Sequence, residues 1–98
     1  MRFIQIMDYE TTRGDEIDAW MKEVSESGQE MPNIIRLAHT RDHDNPNHYV
    51  DIIEFTNYDD AMRNSAQPET DAMARDLAAL CTSGPTYANL DVMMERPA

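Results

Sequence analysis

The chain has little of what usually fixes a small protein or announces a reaction. Of its 98 residues only one is cysteine, three are glycine and eight are Lys or Arg, against 19 Asp and Glu. A lone Cys81 cannot close an internal disulfide. With glycine confined to positions 14, 28 and 84, no phosphate-cradling loop can be written, and no nucleophile motif or cysteine pair is present. The formal charge of −11 repels phosphate-rich and anionic surfaces, so nucleic acid and membrane are excluded as expected partners. No apolar run approaches a bilayer-spanning length, and no basic segment leads into an apolar h-region. The expected setting is soluble, reducing and cytoplasmic.

What is present is a full set of secondary-structure signals. Phe3-Ile4-Gln5-Ile6-Met7-Asp8-Tyr9 reads as a strand, with Phe3, Gln5 and Met7 on one side and Ile4 and Ile6 on the other, too apolar for either face to meet water. Thr11 or Thr12 can cap a helix in which Ile17, Trp20, Met21 and Val24 form one stripe, with Gly28 and Pro32 as its stop. Asn33 to Arg41 alternates, with Ile35, Leu37 and His39 set against Ile34, Arg36 and Ala38. The turn-forming segment Asp42 to His48 joins it to the strand Tyr49 to Phe55 as a hairpin. Asn57 caps a short helix through Tyr58, Ala61 and Met62, and Pro68 restarts a longer one showing Met73, Leu77, Leu80 and Cys81 on one stripe. After Ser83-Gly84-Pro85, Tyr87 to Met94 reads as the last strand.

Strand, helix, two strands, helix, strand is the order of a ferredoxin-like βαββαβ unit, an α+β fold whose four-stranded antiparallel sheet carries helices on one face. Residues 1–98 read as a single domain, small enough to gain stability from oligomerisation. The uncovered face then packs on a second copy or encloses a ligand. The face bearing Phe3, Gln5, Met7, Asn89 and Asp91 is the one expected to be buried in a homodimer. Eight methionines suit irregular core gaps or an adaptable pocket lining.

The opening Met1-Arg2-Phe3-Ile4-Gln5-Ile6, the segment Tyr49-Val50-Asp51-Ile52-Ile53-Glu54-Phe55 followed by Tyr58-Asp59-Asp60-Ala61-Met62, and Leu77-Ala78-Ala79-Leu80 before the final strand resemble the dimeric α+β barrel superfamily, within it the antibiotic-biosynthesis-monooxygenase-like branch. The resemblance spans nearly the whole chain. It implies a homodimer with two sheets packed face to face, each protomer keeping a cleft between sheet and helices. Members range from cofactor-independent monooxygenases and haem-degrading enzymes to isomerases and proteins without assigned activity, so fold does not fix function. Haem-degrading members place an iron-ligating His on the second helical region and an Asn in the first strand. Here those places read Met62-Arg63-Asn64-Ser65 and Gln5, so no haem is expected, nor any other cofactor.

Candidate chemistry rests on few residues. His39 shares the register of Leu37 and has the near-neutral pKa a general base needs, or it is a hydrogen-bonded rim histidine. Asp51, mid-strand between Val50 and Ile52, is a second base candidate or an ion-pair partner of Arg36 or Arg41. Gln5, Asn89 and Asp91 share a face if the last strand pairs with the first, and there could orient a carbonyl or enolate oxygen or knit a dimer interface. Trp20, Phe55 and Met62 are the candidate walls, although Trp20 on its apolar stripe also reads as core. His39-x-x-x-His43 has helical metal spacing but falls on a strand, and Asp42-x-Asp44 lacks the rest of a calcium loop, so no metal site is expected. Two function classes follow. One is a cofactor-independent monooxygenase acting on a small aromatic or polyketide-like compound; the other is a noncatalytic ligand-binding or stress-associated dimer.

Overall fold

The structure, a computed structural model, describes residues 1–26 and 33–96. Its elements run β1 (Phe3–Glu10), α1 (Gly14–Glu26), β2 (Ile34–Arg41), β3 (His48–Phe55), α2 (Tyr58–Ser65), α3 (Pro68–Leu80) and β4 (Ser83–Asp91). The strands form one antiparallel four-stranded sheet in the order β2-β3-β1-β4. This is the ferredoxin-like α+β arrangement, its second helical region split in two at Pro68. Gly28 and Pro32, expected to stop α1, lie outside the described residues.

Local chemistry sets the boundaries. Asn57 accepts a hydrogen bond from the Asp60 amide at 2.8 Å and caps α2, whose first turn holds Asp59 and Asp60. Pro68 opens α3 at a position where its missing N–H costs nothing. The start of α1 is anchored differently from the expected cap. Thr11, 1% exposed, accepts from the Arg13 amide at 2.9 Å and donates to the Leu80 carbonyl at 2.7 Å, tying the β1 exit to the end of α3.

Two corrections concern parity and register. The face carrying Phe3, Gln5, Met7 and Asn89 is not the uncovered one; the helices pack on it. Tyr9, Tyr49, Ile17 and Leu77 form one buried cluster there, and Phe3, Phe55 and Ala61 another. Both sides of β1 are apolar, so alternation alone could not choose between them. Buried Tyr9 decides the parity. The uncovered face instead presents Ile4, Ile6, Val50, Ile52, Ala88 and Leu90, aligned across β3, β1 and β4. In β2 a register shift between Ile34 and Arg36 turns Ile34 toward Phe55 and leaves Ile35 46% exposed, the reverse of simple alternation.

The last strand also begins earlier and ends sooner than expected. Its length follows β1, from Glu10 paired with Ser83 to Phe3 paired with Asp91, and Met93 and Met94 lie exposed beyond it. Pro85 is tolerated because β4 is an edge. Gly84 has φ +84°, and a Cβ there would stand 2.8 Å from the Asp8 carbonyl oxygen, so both conformation and space require glycine.

Candidate functional site

Between the helices and the covered sheet face lies a cavity of about 490 Å³. Its apolar walls come from Trp20 and Met21 on α1, Leu37 and Phe55 on the sheet, and Met73 and Leu77 on α3. Polar side chains stand among them. Gln5 and Asn89, paired across β1 and β4, are joined by a 3.2 Å bond from Gln5 Nε2 to Asn89 Oδ1, and both line the cavity. Asn64, Thr70 and Tyr87 add an amide, a hydroxyl and a phenol. Burial pushes the Tyr87 phenol above its ordinary ionisation range, so it remains a neutral donor.

Beside this cavity stands a charged network. The hairpin register sets His39 opposite Asp51. Asp51 is fully buried, and each of its carboxylate oxygens is partnered: Oδ1 by His39 Nδ1 at 2.6 Å and Oδ2 by the Tyr9 hydroxyl at 2.7 Å. Pairing is what makes such burial tolerable. The other ring nitrogen, Nε2, meets Asp18 of α1 at 2.8 Å. A carboxylate on each nitrogen favours the doubly protonated ring. The bond to Asp51, opposed by partial burial and reinforced by Asp18, holds the His39 pKa above its ordinary value. Tyr49 stacks on the His39 ring at 5.3 Å and on Tyr9 at 5.7 Å. Burial first, and then the bond to Asp51, push the Tyr9 hydroxyl far above its usual range.

The expected site residues are therefore distributed between two places. Gln5, Asn89, Trp20 and Phe55 line the cavity together. Met62 does not; it packs outside, against the cluster of Phe3, Phe55 and Ala61. His39 opens onto a separate shallow depression with Asp18, Lys22 and Ser25, and Met21 and Leu37 belong to both walls. Asp51 pairs with His39, not with Arg36 or Arg41. Asp91 lies on the covered face but outside the cavity lining. Sequence reasoning missed Tyr9 and Asp18, which complete the network, and Asn64 and Tyr87 on the cavity wall. Among the described residues, no group of three or more His, Cys, Asp or Glu is arranged to hold a metal ion.

A ferredoxin-like sheet with a ligand-sized cavity under its helices defines the class to which this architecture belongs. No protein-family model matches the chain, and no curated protein matches it. Solved structures do. The cofactor-independent oxygenase SnoaB of Streptomyces nogalater is 23% identical, with a TM-score of 0.73 over 99% of this chain and 96% of its own. A protein of Deinococcus radiodurans described as a "putative antibiotic biosynthesis monooxygenase" is 10% identical, with a TM-score of 0.81 over 98% and 97%. Another so described, from Chloroflexus aurantiacus, is 12% identical, with a TM-score of 0.73 over 99% and 98%. The chain has the antibiotic biosynthesis monooxygenase fold.

Proposed function

We propose that this protein is a cofactor-independent monooxygenase acting on a small aromatic or polyketide-like compound held in the cavity. The observation that carries this reading is the cavity itself, apolar on its walls and furnished at one side with the Gln5–Asn89 amide pair. The fold shared with an oxygenase that needs no cofactor supports it. Trp20 and Phe55 would sandwich the ring system while the amides orient its oxygen. The reaction balances without a further oxidant. A ring methylene beside a phenol loses a proton, and the carbanion reduces dioxygen and bonds to it. The resulting hydroperoxide then eliminates water to leave a carbonyl. One oxygen atom stays in the product and the other departs with both hydrogens.

In this reading His39 is the base and Asp51 holds its ring. The ring must first lose a proton and leave Asp18, and Met21, a flexible thioether, stands between it and the cavity. Turnover should then rise with pH through a value above the ordinary histidine pKa, about 6.5. Asp18→Asn should move that rise to lower pH. The test is oxygen uptake with anthrone-type and quinol substrates, with and without chelator. Uptake matched by carbonyl formation and insensitive to chelator is expected; none with any ring substrate would sink the enzymatic reading. A noncatalytic binding role is the second reading. It is favoured by the carboxylates that occupy both nitrogens of His39 and by its position outside the cavity lining.

We infer a homodimer through the uncovered face, where Ile4, Ile6, Ile52 and Leu90 leave an apolar surface across three strands. The superfamily resemblance implies the same face-to-face packing of two sheets. Light scattering should give twice the chain mass, and Ile52→Glu should return it to one.

A further inference from the structure

The polar chemistry around the cavity is of one kind. Gln5, Asn64, Gln67 and Asn89 offer amides and Ser65 and Thr70 hydroxyls, all neutral, and Tyr87 keeps its proton. No Lys, Arg or His lines the cavity among the described residues, and positions 27–32 contain none in the sequence. Among the described residues the charged side chain in the wall is Asp71, whose carboxylate is 66% exposed and so stands at the solvent edge. Arg75, one turn further along α3, is held by Asp71 Oδ2 at 3.2 Å and does not itself line the space. The positive end of α3 is already answered by Glu69 and Asp71 in its first turn. Behind the wall, the charge of His39 is met by both Asp51 and Asp18.

We propose that the cavity selects uncharged ligands over their anionic counterparts, and that Asp71 at its edge is the residue that sets this selection. The proposal rests on the reading of the cavity as a ligand site and narrows its substrate class. An anion entering the space gives up hydration without gaining a cation, and passes a carboxylate on the way. The ligands that fit are flat, neutral ring systems carrying a hydroxyl or carbonyl for the amide pair. Phenols, quinols, esters and lactones belong to this class; free acids, phosphates and nucleotide-linked thioesters do not. The volume of about 490 Å³ accommodates two or three fused rings.

The experiment compares two probes that differ by one charge and one methyl group, methyl 1-hydroxy-2-naphthoate and 1-hydroxy-2-naphthoate, by calorimetric titration of the intact protein at neutral pH and low salt; the Asp71→Asn change in their ratio reads the charge alone, since the methyl is common to both proteins. The ester is expected to bind about tenfold or more tightly than the acid. Asp71→Asn should narrow that ratio severalfold through a gain for the acid. Asp59→Asn, which removes the same charge from α2 away from the cavity, should keep the ratio of the parent protein. Binding of the acid as tight as that of the ester overturns the selectivity. A ratio untouched by Asp71→Asn, or narrowed equally by Asp59→Asn, overturns the role of Asp71. If neither probe binds any of the three proteins, the ligand-site reading itself fails and this inference with it.

Discussion

The two faces of the sheet each carry a histidine gripped by two aspartates, and the likeness ends there. On the covered face His39 joins fully buried Asp51 to Asp18. On the uncovered face His48 joins Asp42 to Asp8 with both contacts at 2.8 Å, and its partners keep 33% and 49% of their side-chain surface. Both histidine pKa values are raised, each chiefly by a hydrogen bond to an aspartate, and that of Asp42 is lowered by His48. Equal geometry does not mean equal consequence. Water and salt can replace His48 for its partners, whereas among the described residues only Tyr9 remains to the Asp51 carboxylate if His39 is lost.

The difference can be broken most forcefully at His39. His39→Ala should destabilise the fold toward the lower end of about 3–5 kcal/mol, because a buried carboxylate keeps only its tyrosine donor; urea melts measure it. A loss of activity in this variant is therefore read only alongside its melt. Leu77→Ala, which empties the covered face without touching charge, should cost about 2–5 kcal/mol. Tyr9→Phe removes the second donor to Asp51 and should cost about 1–3 kcal/mol in the same melts. A change below about 1 kcal/mol for either His39→Ala or Leu77→Ala would contradict the packing of this face.

Smaller effects sharpen the contrast. A raised histidine pKa stabilises the folded chain fully below the unfolded value, about 6.5, and that contribution disappears as pH rises through the folded value. Stability should thus decline on the alkaline side of neutrality. The lowered pKa of Asp42 acts in the opposite sense, its contribution being lost as pH falls through the folded value. Nuclear magnetic resonance titrations in added sodium chloride should draw the His48 pKa toward its ordinary value and move that of His39 less. His48→Ala should leave the melting temperature nearly unchanged, the smallest effect of the series.

Much of this was legible in the chain. Turn residues, caps and the proline at position 68 mark the elements, because each acts over a few neighbouring residues. Even the His39–Asp51 pair was within reach. A hairpin whose strands end at Arg41 and resume at Tyr49 sets residue 39 opposite residue 51. What local pattern could not supply was the choice between two apolar faces of β1, since Phe3 and Met7 look no more like core than Ile4 and Ile6. Nor could it supply contacts between elements distant in sequence. The bond from Asp18 to His39 depends on how α1 settles on the sheet, and the company of Trp20 with Asn89 depends on β4 pairing with β1. The register shift in β2, which reverses Ile34 and Ile35, leaves no composition signal.

Trp20 is the chain's one tryptophan, and it stands in the cavity wall. Its emission is therefore an internal optical gauge of that space, free of competing indoles. A flat ring that fills the cavity would displace water from the indole and shift its emission in proportion to occupancy, and a ring that absorbs where indole emits would also accept its excitation energy and dim it. The molecule carries its own screening probe, and a library of ring compounds can be ranked on it without label or assay chemistry.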